Sequence, residues 1–541
     1  MPNNTNEKIY SILQSLALGL GAKEAEFLIE DPKEKSHGDL SSNLALILAK
    51  QLEKSPMEIA NLIVEKLLKQ KDLGEYFNKI EAVSPGFINF YFSKQYLASK
   101  IDEIISLGSS YGSLDIGRNK KVSVEFVSAN PTGPLHIGNA RGGPLGDSIA
   151  NVLSKAGYKV TREYLHNNVG GQVDHLGEAI YFTIHPDQKP ENYEVQYQGE
   201  YIKDLAKIVE EQIDKHTDYS QSEFIKKAGE IAVEIMLAEI LKDCELMGIK
   251  FDKVTKESDL RKDVDKVLPK IKNYLKENEG ALWFAPNDEF LKDRETVVRK
   301  SNGEFTYFAS DIVYHNEKMS QNDIVIDILG ANHSGHVPRL QAVVKALGFD
   351  PNNFKTILYQ WIRLKRGNEI VKMSKRAGTF VTAREVLDEV GRDAFRFFLL
   401  TPRSQTHMDF DLELAKKKVS QNPVFYVQYA YSRICSVFKN TKESFSDGDL
   451  SLLKEKEEID LIRTLINLPN LVEEVSRSLE VNVFCNYALQ IANLFHKFYE
   501  THRVISDNKE LTKARLALLK ATQVTLKNTL NLLGVSAPEK M

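Results

Sequence analysis

A chain of 541 residues is too long for one compact core, so about three or four domains are expected. Its 42% hydrophobic and 27% charged residues, with 30 Gly, 17 Pro and no low-complexity tract, place it among soluble globular proteins. A net charge of −4 argues against a general nucleic-acid binder, because affinity for phosphate comes from clustered Lys and Arg. The three cysteines, Cys244, Cys435 and Cys485, form no CxxC pair, which excludes a disulfide framework and a thiolate zinc site and points to a reducing, cytoplasmic compartment.

The first apolar run is short, follows acidic as well as basic residues, and has the spacing of an amphipathic helix rather than of a signal segment. No apolar span approaches the roughly 20 residues that cross a bilayer, so no membrane is expected. Helical spacing at Ile9, Leu13, Leu16 and Ala17, and again at Ile59, Leu62, Ile63 and Leu67, alternates with a strand signal from Gly86 to Phe92. Residues 1–115 therefore read as a small α+β domain, closed by the turn-rich stretch Gly108 to Ser113.

A β-type run from Lys121 to Val127 is followed by Pro131 and Gly133, and then by helical spacing from Gly138 to Ala156. Strand, tight turn and helix in that order open a doubly wound α/β sheet, assigned to residues 116–414. A charged helical stretch over about 178–250 interrupts it as an insertion. Strand signals return at Thr296 to Val298 and at Asp323 to Leu329. Residues 415–541 have helical periodicity almost throughout, predicting an all-α bundle. Local charge departs from the total: Lys355 to Lys439 holds sixteen Lys and Arg against eight Asp and Glu.

The first motif is Ala129-Asn130-Pro131-Thr132-Gly133-Pro134-Leu135-His136-Ile137-Gly138-Asn139. Two prolines and a glycine force a turn between strand and helix, and Gly138 stands where the helix begins. A phosphate can approach the N–H groups there without meeting a Cβ, and His136 adds an imidazole donor suited to charge developing on an α-phosphate. Alone, a tetrapeptide such as His136 to Asn139 is more often a chance sequence at a helix cap, so the second motif is needed. The second motif, Lys372-Met373-Ser374-Lys375, sets two ammonium groups three residues apart, able to follow the β- and γ-phosphates as pyrophosphate departs.

Together the two motifs resemble the HIGH and KMSK signatures of class I aminoacyl-tRNA synthetases. That resemblance implies a Rossmann-type catalytic domain that activates an amino acid as its adenylate and passes it to the terminal ribose of tRNA. Longer strings narrow the family. Val124 to His136 resembles the first signature block of bacterial arginyl-tRNA synthetases, and Thr306 to Tyr314 resembles their block holding an arginine-binding Tyr and Asp. Gly330 to Arg339, Asn422 to Ala430 and Leu532 to Val535 match as well, so the resemblance covers essentially the whole chain.

Carried over to this sequence, the resemblance implies catalytic roles for His136, Gly138, Asn139, Lys372, Ser374 and Lys375. ATP would be bound by His136, Gly138, Asn139, Gly330, His333, Met373 and Lys375. Arginine would be bound by Glu125, Asn130, Tyr307, Asp311 and His333, with carboxylates facing the forked guanidinium. No resident metal or prosthetic group is implied, since Mg²⁺ accompanies ATP as part of the substrate. Asn139 departs from the second His of the usual motif, and Asn168 and Asn332 stand where Asp is more usual.

The expected partners are tRNA(Arg), ATP and L-arginine, and the chain is expected to act as a monomer. His37 to Asn43 and Ser84 to Asn89 resemble the family's additional N-terminal domain, which contacts the outer corner of tRNA. The C-terminal region looks like the anticodon-binding bundle. Its aromatics Phe425, Tyr426, Tyr429, Tyr431, Phe498 and Tyr499 are expected to be mostly buried, with one or two stacking on bases. Lys416-Lys417-Lys418 is a candidate phosphate contact, or equally a solvated patch. A tRNA-independent nucleotidylyltransferase and a non-catalytic RNA-binding relative are the competing readings. The long helical C-terminal region opposes the first, and Lys372 with Lys375 the second.

Overall fold

The computed structural model describes the chain apart from residues 1–4, 24, 31, 33, 71, 215, 287–294, 368 and 372–380. Near the N-terminus, helices Thr5–Gly19, Leu44–Leu52, Pro56–Leu68 and Lys94–Leu107 accompany a four-stranded antiparallel sheet. Ser55 and Glu58 form a reciprocal capping box with Pro56 in the first turn, which is why the second helical pattern starts there. Ile59, Ile63 and Leu67 are buried as their spacing predicts, whereas Leu62 is 39% exposed. Only the strand Phe87–Phe92 was signalled. Ile29–Glu30 and Leu40–Ser42 are too short to show a period, and Phe77–Val83 carries a register irregularity that breaks its alternation.

The central part is a five-stranded parallel sheet. In chain order it contains β1 (Lys121–Glu125), α1 (Gly142–Lys155), β2 (Lys159–His166) and α2 (Gly171–Ile184). Next come α3 (Glu200–Gln212), α4 (Gln221–Leu246), β3 (Lys253–Lys256), α5 (Tyr307–Gln321), β4 (Ile324–Gly330) and β5 (Phe354–Tyr359). The strand order is β5-β4-β1-β2-β3, so the direction of winding reverses between β1 and β4. Ligand crevices in such sheets open at that reversal, beyond the carboxyl ends of the strands.

The helical insertion is α2, α3 and α4, which share a core of their own. The expected helix after the first motif is two helices, Ile137–Ala140 and α1, meeting at Arg141. The strand signalled at Thr296 to Val298 does form, as Thr296–Arg299, but it joins a separate three-stranded antiparallel sheet rather than the parallel one.

The C-terminal region is helical, with long helices Pro423–Asn440, Asn482–Thr501 and Lys509–Leu532. Its last helix packs on Lys94–Leu107, and Asn528 Nδ2 donates to the carbonyls of Gly108 and Tyr111. Arg396, fully buried, bonds Leu533 O at 2.8 Å and pairs with Asp147 at 2.7 Å, tying the terminal Leu532–Val535 string to α1.

Candidate active site

The chain leaves β1 through a strained turn: Val127 and Ser128 have φ of 67° and 36°. A β-branched residue rarely adopts such a backbone, and here the turn is held from several sides. Ser128 Oγ donates to Glu125 Oε1 at 2.9 Å and accepts Leu165 N–H at 3.0 Å. Ala129 O accepts Tyr164 Oη–H at 2.8 Å, and Asn130 Oδ1 accepts from Asn167 Nδ2 at 2.7 Å. Thr132 O accepts Tyr201 Oη–H from the insertion at 3.2 Å.

His136 caps the following helix. Its Nδ1 accepts Gly138 N–H at 2.9 Å, so the neutral imidazole carries its proton on Nε2. A Cβ at Gly138 would stand 3.0 Å from His136 Nδ1, tighter than side chains ordinarily pack. The backbone of the motif is also laced to its neighbours. Ile137 N donates to Val381 O at 3.2 Å, Ala383 N donates to Leu135 O at 2.7 Å, and Tyr359 Oη donates to Asn139 O at 3.3 Å. Lys372, Met373, Ser374 and Lys375 lie outside the described residues. The chain on both sides of them is anchored, at Val371 to Leu364 O and at Val381 to the first motif.

Beneath this turn lies a row of buried charge. Register pairs Glu163 of β2 with Glu125 of β1, and Glu125 with Asp327 of β4, so three carboxylates stand side by side on one face of the sheet. α5 supplies the counter-charge. Lys318, fully buried, donates to Glu125 Oε2 at 2.6 Å and to Asp327 Oδ1 at 2.7 Å. His315 Nε2 lies 2.9 Å from Asp327 Oδ2, and Tyr314 Oη donates to Glu163 at 3.1 Å. Burial is the largest influence on Asp327, but Lys318 and His315 outweigh it and hold the carboxyl down to about 2. Burial pushes Glu163 the other way.

Asp311 stands one turn before His315 on the same helix and is half-buried. Desolvation raises its carboxyl to about 6, assisted by the carboxylates of Glu125 and Glu257 and opposed by His315 and Lys318. Glu257 was not legible in the sequence. It opens the short helix Glu257–Arg261, is buried, and accepts Ser310 Oγ–H at 3.1 Å and Arg261 Nη2 at 2.9 Å on Oε1, while Oε2 has no hydrogen-bond partner. Tyr307 is 43% exposed and donates to Val169 O at 3.3 Å. Gly170 has φ 98°, and a Cβ there would meet Tyr307 Oη at 2.5 Å, so only glycine admits this tyrosine.

At the end of β4, Gly330 leads into the short helix Ala331–His336, which exposes Asn332 and His333. Partial desolvation lowers the His333 imidazole all the same. Asn168 caps the Glu257 helix with both ends of its amide: Oδ1 accepts Ser258 N–H and Nδ2 donates to Ser258 Oγ, each at 3.0 Å.

The strings thought to meet RNA divide. Asp39 accepts Phe92 N–H at 2.7 Å and pairs with Arg463 of the helical region, so His37 to Asn43 serves the domain junction. Tyr431 and Phe498 are buried, but Tyr429 is exposed, lies 6.1 Å from the Phe425 ring, and shares Arg433 with Tyr499. Lys416 is tied to Glu389 and Glu413, whereas Lys417 and Lys418 have no ion-pair partner among the described residues.

A doubly wound sheet with a histidine-capped helix at its reversal point, laced to the residues beyond a two-lysine motif, defines the catalytic domain of a class I aminoacyl-tRNA synthetase. Residues 100–436 match the family model for the class I (R) tRNA synthetase catalytic domain. Residues 3–92 match the arginyl tRNA synthetase N-terminal domain, and 427–541 the DALR anticodon binding domain. The chain belongs to the arginyl-tRNA synthetase family. It is 42% identical to the arginine–tRNA ligase of Carboxydothermus hydrogenoformans, covering 99% of this chain and 98% of that one. It is 40% identical to that of Listeria monocytogenes serotype 4a over the full length of both. The Thermus thermophilus arginyl-tRNA synthetase structure shares the fold with a TM-score of 0.80 at 21% identity, covering 99% of this chain and all of that one.

Proposed function

We infer that the chain is an arginine–tRNA ligase. It forms arginyl-AMP from L-arginine and ATP, then transfers arginine to the 3′-terminal ribose of tRNA(Arg). In the first step a carboxylate oxygen of arginine attacks the α-phosphate, and the bond to the β-phosphate breaks to release pyrophosphate. In the second a ribose hydroxyl attacks the acyl carbon, loses its proton, and AMP departs. The substrate carboxylate is already ionised, so the first step asks for positioning and charge stabilisation rather than a protein base.

The observation that carries the choice of arginine is the gathering of the Glu257 and Glu125 carboxylates about Asp311, with Tyr307 one turn before it on α5. A planar cation with several N–H donors satisfies such a set in a way that neutral side chains do not. Asp311 and Tyr307 are assigned to the guanidinium. Glu125 forms the adjoining wall with its carboxylate shared by Lys318, and the unpartnered Oε2 of Glu257 adds an acceptor. Asn130 is assigned to the α-amino end and His333 to the junction of arginine and adenosine. His136 would donate through Nε2 to the α-phosphate, with Gly138 and Asn139 at the helix start and Gly330 beside the adenosine. Lys372, Met373, Ser374 and Lys375 would follow the β- and γ-phosphates.

Mg²⁺ enters with ATP in this reading, and the chain acts as a monomer in the cytoplasm, in keeping with three buried free cysteines. The domain division remains 1–115, 116–414 and 415–541, with the insertion over about 178–250. The test is ATP–pyrophosphate exchange with each amino acid in turn, with and without total tRNA. Exchange should require arginine; exchange driven by another amino acid and not by arginine overturns the assignment.

A further inference from the structure

The strand Ile362–Arg366 begins three residues beyond β5 and joins Glu369–Ile370 and Met408–Asp411 in a small sheet. It buries Ile362 and Leu364, so alternation turns Arg363 and Lys365 to the opposite face, with Trp361 just ahead of them. Trp361 is 58% exposed, more than any other large aromatic side chain among the described residues. Its backbone is fixed all the same. Trp361 O accepts Met408 N–H at 3.3 Å, Gln360 N donates to Ser404 O at 2.9 Å, and Gln360 O accepts Arg141 Nη1 at 2.6 Å.

The surroundings are cationic. Arg363 and Lys365 share a single carboxylate, Asp409, at 2.7 and 2.5 Å, which leaves this face with an excess of positive charge. His407 precedes the register partner of Ile362 and is also exposed. The place is the rim of the active site: Tyr359, two residues earlier, bonds Asn139 of the first motif. A rigidly mounted, exposed indole followed by basic residues at period two on a strand is the arrangement that stacks an unpaired base while holding its phosphates.

We propose that Trp361 is a stacking platform for an unpaired base at the 3′ end of tRNA, with Arg363 and Lys365 meeting the adjoining phosphates. This rests on the reading of the chain as a tRNA ligase. The chain contains two tryptophans, so Trp283→Phe leaves Trp361 as the only one and its emission as a direct report. Intact tRNA(Arg) transcript should quench that emission, and the same transcript trimmed of its unpaired 3′ nucleotides should not. Trp361→Ala should raise the KM for tRNA(Arg) about tenfold, and Trp361→Phe by much less, because stacking on a base needs only an aromatic face. The KM values for ATP and arginine should not move. Equal quenching by intact and trimmed transcripts, no quenching by either, or a Trp361→Ala variant with unchanged tRNA KM would each overturn the proposal. If the unaltered protein charges no tRNA(Arg), the functional reading fails instead, a result these variants cannot produce.

Discussion

Lys318→Met removes the one ammonium group shared by Glu125 and Asp327, at 2.6 and 2.7 Å, in a fully buried position. Breaking a buried ion pair from one side costs about 3–5 kcal/mol, because the remaining charge is left unpaired. Two stranded carboxylates put the expected loss near the top of that range. The pH dependence should also reverse. In the unaltered protein the Asp327 carboxyl lies at about 2 against an ordinary 3.8. It therefore contributes stability that is fully present above about pH 4 and is lost as pH falls through 2. Without Lys318, burial penalises the two carboxylates with only His315 left beside Asp327, and acid should relieve part of that penalty. Urea unfolding followed by circular dichroism at pH 7 and pH 5 should show the variant's deficit shrinking on acidification. Adding Asp327→Asn should restore part of the loss at pH 7. A deficit below about 1 kcal/mol at pH 7, or one that is unchanged at pH 5, would refute the charge-row account.

Asp311→Asn should raise the KM for arginine by about two orders of magnitude, as expected for losing a charge-assisted pair of about 3 kcal/mol. It should also stabilise the arginine-free protein by about 1–2 kcal/mol in thermal melts, because it removes a carboxylate whose ionised form is penalised by burial. In the unaltered protein, kcat/KM for arginine should fall as pH drops below about 6, where Asp311 becomes protonated in the empty site and loses its attraction for a cation. His136→Ala should lower the activation rate by about 10²–10³-fold and cost no more than about 1 kcal/mol of stability, the scale of one helix cap. Lys375→Ala should cut arginine-dependent pyrophosphate exchange by about 10²–10³-fold with tRNA affinity, measured by filter binding, unchanged. Asp39→Asn breaks the Arg463 contact between the N-terminal and helical regions, and should speed limited proteolysis of the N-terminal region before it alters arginine activation.

The chemistry most legible in the sequence is that carried by turns. The prolines and glycines around His136, and the lysine pair at Lys372 and Lys375, are legible as candidate phosphate-binding strings because each consists of neighbouring residues. Two strands of the parallel sheet, β1 and β4, and the helical C-terminal region were legible for the same reason: hydrophobic period is a local property. Helix spacing contained one further signal. Asp311, His315 and Lys318 fall on one face of α5 at i, i+4 and i+7, and polar residues on a face that is otherwise buried point to a charge network.

By itself, then, the sequence determined the class of enzyme, the two motifs and the candidate arginine contacts Tyr307 and Asp311. The tertiary structure alone decided how those contacts are held. That Glu125 divides its carboxylate between Ser128 and Lys318 follows from strand order and register. That Glu257 joins the pocket follows from the packing of a short helix on α5. That the residues after the second motif are bonded to the first follows from a fold that brings Val381 to Ile137. Apart from the local Ser128 bond, each of these contacts spans tens to hundreds of residues, and the desolvation that raises Asp311, like the Lys318 and His315 contacts that hold Asp327 down against its own burial, exists only once water has been excluded.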